Sequence, residues 1–149
     1  MEMQHKTFAP HVQKKGEKYM NPKQLSHFRK ILESLKKELW RDIDSTVHVM
    51  QGEATGFADP NDRATQEADL GLELRNRDRE SKLIGKIEEA IGRIDAHEYG
   101  YCNQCGVEIG LKRLEARPTA TLCIDCKTLD ELRERRTSKV SPATGRYPR

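Results

Sequence analysis

Apolar side chains recur along the first third of the chain at Leu25, Phe28, Leu32, Leu35 and Leu39, with spacings of 3, 4, 3 and 4. That is the seam of a helix written in heptads, and Ile43, Val47 and Met50 continue it less strictly. The stretch "NPKQ" supplies its start: Asn21 as N-cap, Pro22 at the first helical position, and Gln24 reaching back as in a capping box. Gly52 and Gly56 end the pattern. A second seam opens at "DPND" with the same grammar, Asp59 as cap, Pro60 first and Asp62 in the first turn. It runs through Leu70 and Leu74 to Ile84, Ile87, Ile91 and Ile94, and turns polar at "RNRDRESK". Two helices of roughly 30–37 residues joined by a short turn pack antiparallel into a rod of roughly 45–55 Å. Gly71, Gly85 and Gly92 each cost about 1 kcal/mol of helix propensity, so the second helix depends on the first.

Outside this hairpin the periodicity stops. Residues 1–20 are polar and irregular and read as an arm; the hairpin takes 21–98, with its tip at 52–64. Residues 99–136 form a small cysteine-bearing module, in which Val107 and Ile109 allow a short strand at most. "CIDCKTLDELRERR" starts a terminal helix there, and 137–149 is a basic tail without periodicity, read as disordered. The expected fold class is mainly α: a long antiparallel two-helix coiled coil, a four-cysteine module and a C-terminal helix.

Composition sharpens this picture. Of 149 residues, 35% are hydrophobic and 34% charged. The mean hydropathy of −0.87 leaves too little apolar side chain for one compact core. The net charge of +3 hides a basic–acidic–basic order. Residues 1–51 carry ten Lys/Arg against six Asp/Glu, residues 52–80 four against eight, and residues 127–149 seven against three. A simple DNA binder would concentrate its basic face instead. The N-terminal residues lack the apolar core of a signal peptide and no later segment has membrane-spanning length, so a cytoplasmic protein is expected.

In a reducing compartment, Cys102, Cys105, Cys123 and Cys126 are metal ligands before they are disulfides. Their C-x2-C-x17-C-x2-C spacing suits one tetrahedral Zn2+ held by four thiolates, and Gly106 suits a knuckle turn needing positive φ. Four protein ligands leave no position for substrate, so the zinc is expected to be structural. A thiol redox role is the competing reading, and it lacks the βαβ context of a thioredoxin-like motif. No Ser/His/Asp set, phosphate loop or paired-carboxylate pocket is apparent, and an enzyme is not expected. The histidines are read as solvated helix or arm residues.

The tip "DPNDRA", the helix "LELRNRDRESKLI" and the module "GYCNQCGVEIGLKRLEARPTATLCIDCK" together resemble the DksA/TraR family of bacterial transcription factors, in its four-cysteine branch. The resemblance covers roughly residues 18–135. It implies a partner, RNA polymerase, whose secondary channel receives the coiled-coil tip. It implies an effector, ppGpp, with which such proteins inhibit ribosomal RNA promoters and favour some amino-acid biosynthesis promoters in the stringent response. By match of motif, the tip residues are Asp59, Asp62 and Ala64. The ppGpp contacts are Leu83, Lys86, Arg117 and Lys127, and Arg79 is a polymerase contact. Without the resemblance, Lys86, Arg79 and Lys127 would read as solvated helix positions and Leu83 as plain seam. The tail after Arg136 is longer and more basic than the family leads one to expect. A closed hairpin satisfies its own seam, so a monomer is expected, and the resemblance implies no sequence-specific DNA binding. The rival reading is a zinc-module DNA binder dimerised through the coiled coil, which would show steeply salt-dependent DNA affinity.

Overall fold

The computed structural model describes residues 8–52 and 59–138. Among them lie four helices: α1 (Pro22–Gly52), α2 (Pro60–Asp95), α3 (Leu111–Ala116) and α4 (Ile124–Ser138). The chain divides into two compact units between Tyr99 and Gly100. No helix of the described residues is long and apolar enough to cross a membrane. The turn residues 53–58, Gly56 included, and the tail from residue 139 lie outside the described residues.

In the first unit the caps form as their side chains dictate. The Gln24 amide N–H donates to Asn21 Oδ1 at 2.9 Å, which satisfies an orphan donor of the first turn of α1, and Gln24 Oε1 accepts from the Met20 amide, just before the cap, at 2.8 Å. Asp59, in extended conformation, accepts from the Asn61 amide through Oδ1 at 3.1 Å, with Pro60 following as the first residue of α2.

Ion pairs across the seam fix the direction and register. Arg29 meets Asp95, and Lys36 Nζ lies 2.7 Å from Glu88 Oε1. One heptad forward on α1 therefore corresponds to one heptad backward on α2, the signature of an antiparallel coiled coil. Phe28, Leu32, Leu39, Ile84, Ile87, Ala90 and Ile94 are buried between the helices, and Tyr99 packs on Phe28 with ring centroids 5.7 Å apart. Toward the turn the seam opens: Ile43 and Val47 are half-buried, while Leu70 and Leu74 are 43% and 52% exposed.

The arm is more ordered than its composition indicates. Glu17 accepts from Asn21 Nδ2 at 2.7 Å and from the Lys14 amide at 3.1 Å, with His11 Nε2 3.4 Å away. Those donors hold its carboxyl down from 4.5 to about 2, the Asn21 amide contributing most. At the other end α2 stops at Asp95, short of the expected limit at 98. His97 takes a left-handed conformation with φ 58°, and the Glu98 amide turns back to the Arg93 carbonyl at 2.9 Å.

The second unit is built on turns rather than on a sheet. Val107 and Ile109 belong to no strand, and the segment shows only an isolated antiparallel bridge between Tyr101 and Glu108. Helix α3, which the alternating pattern did not announce, follows Gly110 and buries Leu114. Its small core comprises Cys102, Ile109, Leu114, Ala120 and Cys123. Helix α4 begins between the last two cysteines and continues to Ser138, inside the segment read as tail.

Candidate functional site

The four cysteines converge although the sequence separates the pairs. The Cys102 amide donates to the Val107 carbonyl at 2.8 Å and the Gly106 amide to the Cys102 carbonyl at 2.9 Å, closing a knuckle in which Gly106 has φ 73°. The second pair sits where α4 starts, and the Cys126 amide points at Cys123 Sγ, 3.5 Å away. An amide of Asn103 donating to the Thr121 carbonyl at 2.9 Å ties one pair to the other.

All four Sγ atoms lie within 4.8 Å of one another, and Cys105 Sγ is 3.6 Å from Cys123 Sγ. Four thiolates at about 2.3 Å from a tetrahedral zinc would stand about 3.8 Å apart, so the cluster fits that ion. Among the described residues it is the one grouping of His, Cys, Asp and Glu that could hold a metal. None of the four cysteines is in a disulfide.

The electrostatics of the sulfurs agree with a cationic occupant. Burial pushes the Cys102 thiol up, but the backbone groups of Cys123, Cys105 and Gln104 outweigh it and bring it down to about 6. The sulfurs of Cys105 and Cys123 push Cys126 up strongly. At Cys105 the Val107 backbone lowers the thiol, yet burial and the neighbouring sulfurs raise it on balance. Cys102 loses its proton easily while Cys105 and Cys126 resist, a repulsion that a bound divalent cation removes.

The other sequence-predicted residues fall in several places. Asp59, Asp62 and Ala64 are exposed in and before the first turn of α2. Asp59 is occupied as a cap, whereas the Asp62 carboxylate has no hydrogen-bond or ion-pair partner among the described residues. Arg79, Leu83 and Lys86 are spaced four and three apart, which places them on one face of α2; Leu83 is half-buried and the two cations are exposed. In the second unit, Arg117 is exposed at the end of α3, its amide donating to the Arg113 carbonyl at 2.8 Å. Lys127 points along α4, its ammonium 3.7 Å from Glu131, so it serves a helix-face pair.

The periodicity did not reveal one feature of the seam. Glu80 is half-buried, and its carboxyl is pushed up, first by desolvation and then by Asp42 across the hairpin and Glu73 along α2, against the pull of Arg77. The polar run "RNRDRESK" was visible, but which α1 residue faced it depended on the register.

Comparison with known proteins agrees with both units. Residues 24–94 match the family described as DnaK suppressor protein DksA, N-terminal domain. Residues 97–131 match the prokaryotic dksA/traR C4-type zinc finger. The RNA polymerase-binding transcription factor DksA of Escherichia coli is 59% identical over 126 residues, spanning 85% of this chain and 83% of its own. Its namesake in Haemophilus influenzae is 55% identical over 129 residues, spanning 87% and 89%. The solved structure of the transcription factor DksA2 from Pseudomonas aeruginosa superposes with a TM-score of 0.73 at 38% identity, covering 78% of this chain and 90% of that one.

Proposed function

The chain belongs to the DksA family, and from that premise we propose that it is a non-catalytic, RNA polymerase-binding regulator of transcription initiation. The observation that carries this reading is the 59% identity to a protein named for binding RNA polymerase, extending over both the hairpin and the zinc unit.

In this reading the hairpin is a probe. An α2 of 36 residues is about 54 Å long, enough to deliver its first turn deep into a channel of another protein. The channel is the polymerase secondary channel, through which nucleotides reach the active site. Asp59 shapes the tip, Asp62 acts there, and the small Ala64 leaves room beside it. A carboxylate without a partner among the described residues can meet a cation or a donor on the polymerase. Arg79 contacts the polymerase from the face it shares with Leu83 and Lys86.

The effector is ppGpp. Lys86 on α2, Arg117 at the end of α3 and Lys127 on α4 supply the cations its phosphates require, and Leu83 supplies an apolar contact. The Glu131 pair at Lys127 is no obstacle, since exposed pairs of this kind are worth only about 0.3–0.5 kcal/mol. Zn2+ is structural here: its four thiolates fill the coordination shell, and its role is to hold the second unit folded. The protein works in the cytoplasm as a monomer and reads no DNA sequence itself.

The test is transcription from a ribosomal RNA promoter with purified polymerase, with and without ppGpp. Inhibition by the zinc-loaded protein, deepened by ppGpp, is expected; initiation unaffected by saturating protein would refute the proposal.

A further inference from the structure

The side of α1 turned away from the seam carries cations that the hairpin does not use. Lys30, Lys37 and Arg41 are spaced seven and four apart, which at about 100° per residue stacks them on one line opposite Leu39. All three are exposed, and none pairs with a described residue. Their neighbours are committed: Lys36 to Glu88, and Arg29 to Asp95 and Glu33.

Beside that line stands Trp40, the chain's single tryptophan, 53% exposed. It lines a shallow groove on the α1 surface, and Phe8 of the arm, 39% exposed, lines the same groove. A solvated helix face accounts for the lysines. It does not account for two large aromatic side chains left open to water in one groove, each with far more apolar area than a polar surface requires.

The remaining lining identifies the occupant. Glu33 and Glu38 stand in the groove among the cations. Carboxylates lining a groove repel a phosphate backbone, so the mixture disfavours nucleic acid despite the aromatic and basic content. It suits a protein surface, where an apolar side chain seats against the aromatics and acidic neighbours meet the cations at the rim. Exposed Trp and Arg within such a frame are the residue types that dominate protein interfaces.

We propose that this face of α1 is a second docking surface, which receives an acidic segment of RNA polymerase carrying an apolar anchor between Phe8 and Trp40. The inference rests on the proposed function for the identity of the partner. It goes beyond the tip by giving the hairpin a fixed orientation in its channel: charge on the outer face selects one rotation of the rod about its axis.

Oxidative footprinting of the zinc-loaded, full-length protein, read by mass spectrometry at Trp40, tests it alone and with purified polymerase. Polymerase should reduce Trp40 oxidation severalfold. Trp40→Ala and the double variant Lys37→Glu/Arg41→Glu should each bind polymerase about tenfold more weakly or worse. All three sites are exposed, so both variants should stay folded at the assay temperature, with thermal midpoints within a few degrees of the wild type. Wild-type polymerase affinity in both variants, with Trp40 unprotected in the complex, overturns the inference and leaves the proposed function standing. Absence of any polymerase binding by the wild type overturns both. Trp40 protection by a single-stranded oligonucleotide but not by polymerase assigns the face to nucleic acid and overturns the choice of occupant.

Discussion

Truncating the seam at two positions should expose a gradient of stability along the hairpin. Ile87 is fully buried between α1 and α2, whereas Leu74, nearer the turn, is 52% exposed. Replacing either by alanine deletes about three carbons, worth about 2.4 kcal/mol if all are withdrawn from water. At Ile87 the whole transfer term is lost and a cavity remains, so Ile87→Ala should cost about 3–4 kcal/mol. At Leu74 about half the term applies, and solvent fills the gap, so Leu74→Ala should cost about 1 kcal/mol. Urea denaturation followed by circular dichroism at 222 nm, with zinc present throughout, measures both costs. Equal costs at the two positions would refute the reasoning, because the seam would then be equally covered along its length. A hairpin stabilised mainly at its base leaves the turn end free to adjust to a partner, which is what delivery of a tip requires.

Chelation of the metal should unfold α3 and α4 while α1 and α2 remain helical, because among the described residues the second unit's apolar core is just Ile109, Leu114 and Ala120 besides two cysteines. Amide exchange reads it directly, and protection persisting over residues 100–130 without metal would contradict it. Asp59→Ala should cost about 1 kcal/mol through loss of the Asn61 cap, seen as a drop of about 3 °C in Tm. Glu17 holds the arm with a carboxyl lowered to about 2, so its contribution is complete above 4.5 and is lost as pH falls from there through about 2. A carbon-detected NMR titration of Glu17 checks the midpoint. Glu80 is displaced the opposite way, so its ionisation costs stability as pH rises above the ordinary carboxylate range, and Glu80→Gln should raise Tm at neutral pH.

The hairpin was legible because its signals are local. The 3–4 spacing from Leu25 to Leu39 and from Ile84 to Ile94 defines two seams, and "NPKQ" and "DPND" place their starts by hydrogen bonds that close within four residues. The cysteine pairs were legible because zinc imposes its own spacing. Depth of burial was not: Leu74 and Ile87 look alike in the pattern, and only the packing of α1 decides which is covered. Helix α3 escaped because Leu111, Leu114 and the breaking Pro118 make a single turn, too short to show a period. His97 escaped because nothing in a histidine announces a left-handed cap, a role that usually falls to glycine. The arm read as irregular because it shows no period, while its order rests on Glu17 gathering contacts from Asn21, Lys14 and His11. As for the site, the tip and the basic residues were found only through resemblance to a family. In the proposed function their partners are on other molecules, and no pattern within one chain encodes such partners.

The central claim is that the turn of the hairpin acts inside the polymerase, and Asp62→Asn tests it most directly. The substitution keeps the size of an exposed side chain and removes a helix-dipole contribution of about 0.3–1 kcal/mol, so Tm should fall by no more than about 3 °C and the folded variant should bind polymerase like the wild type. Run-off transcription from a ribosomal RNA promoter, at protein concentrations giving equal polymerase occupancy for variant and wild type, is the measurement. The account predicts that wild type inhibits and Asp62→Asn does not. Equal inhibition by both at matched occupancy would contradict it.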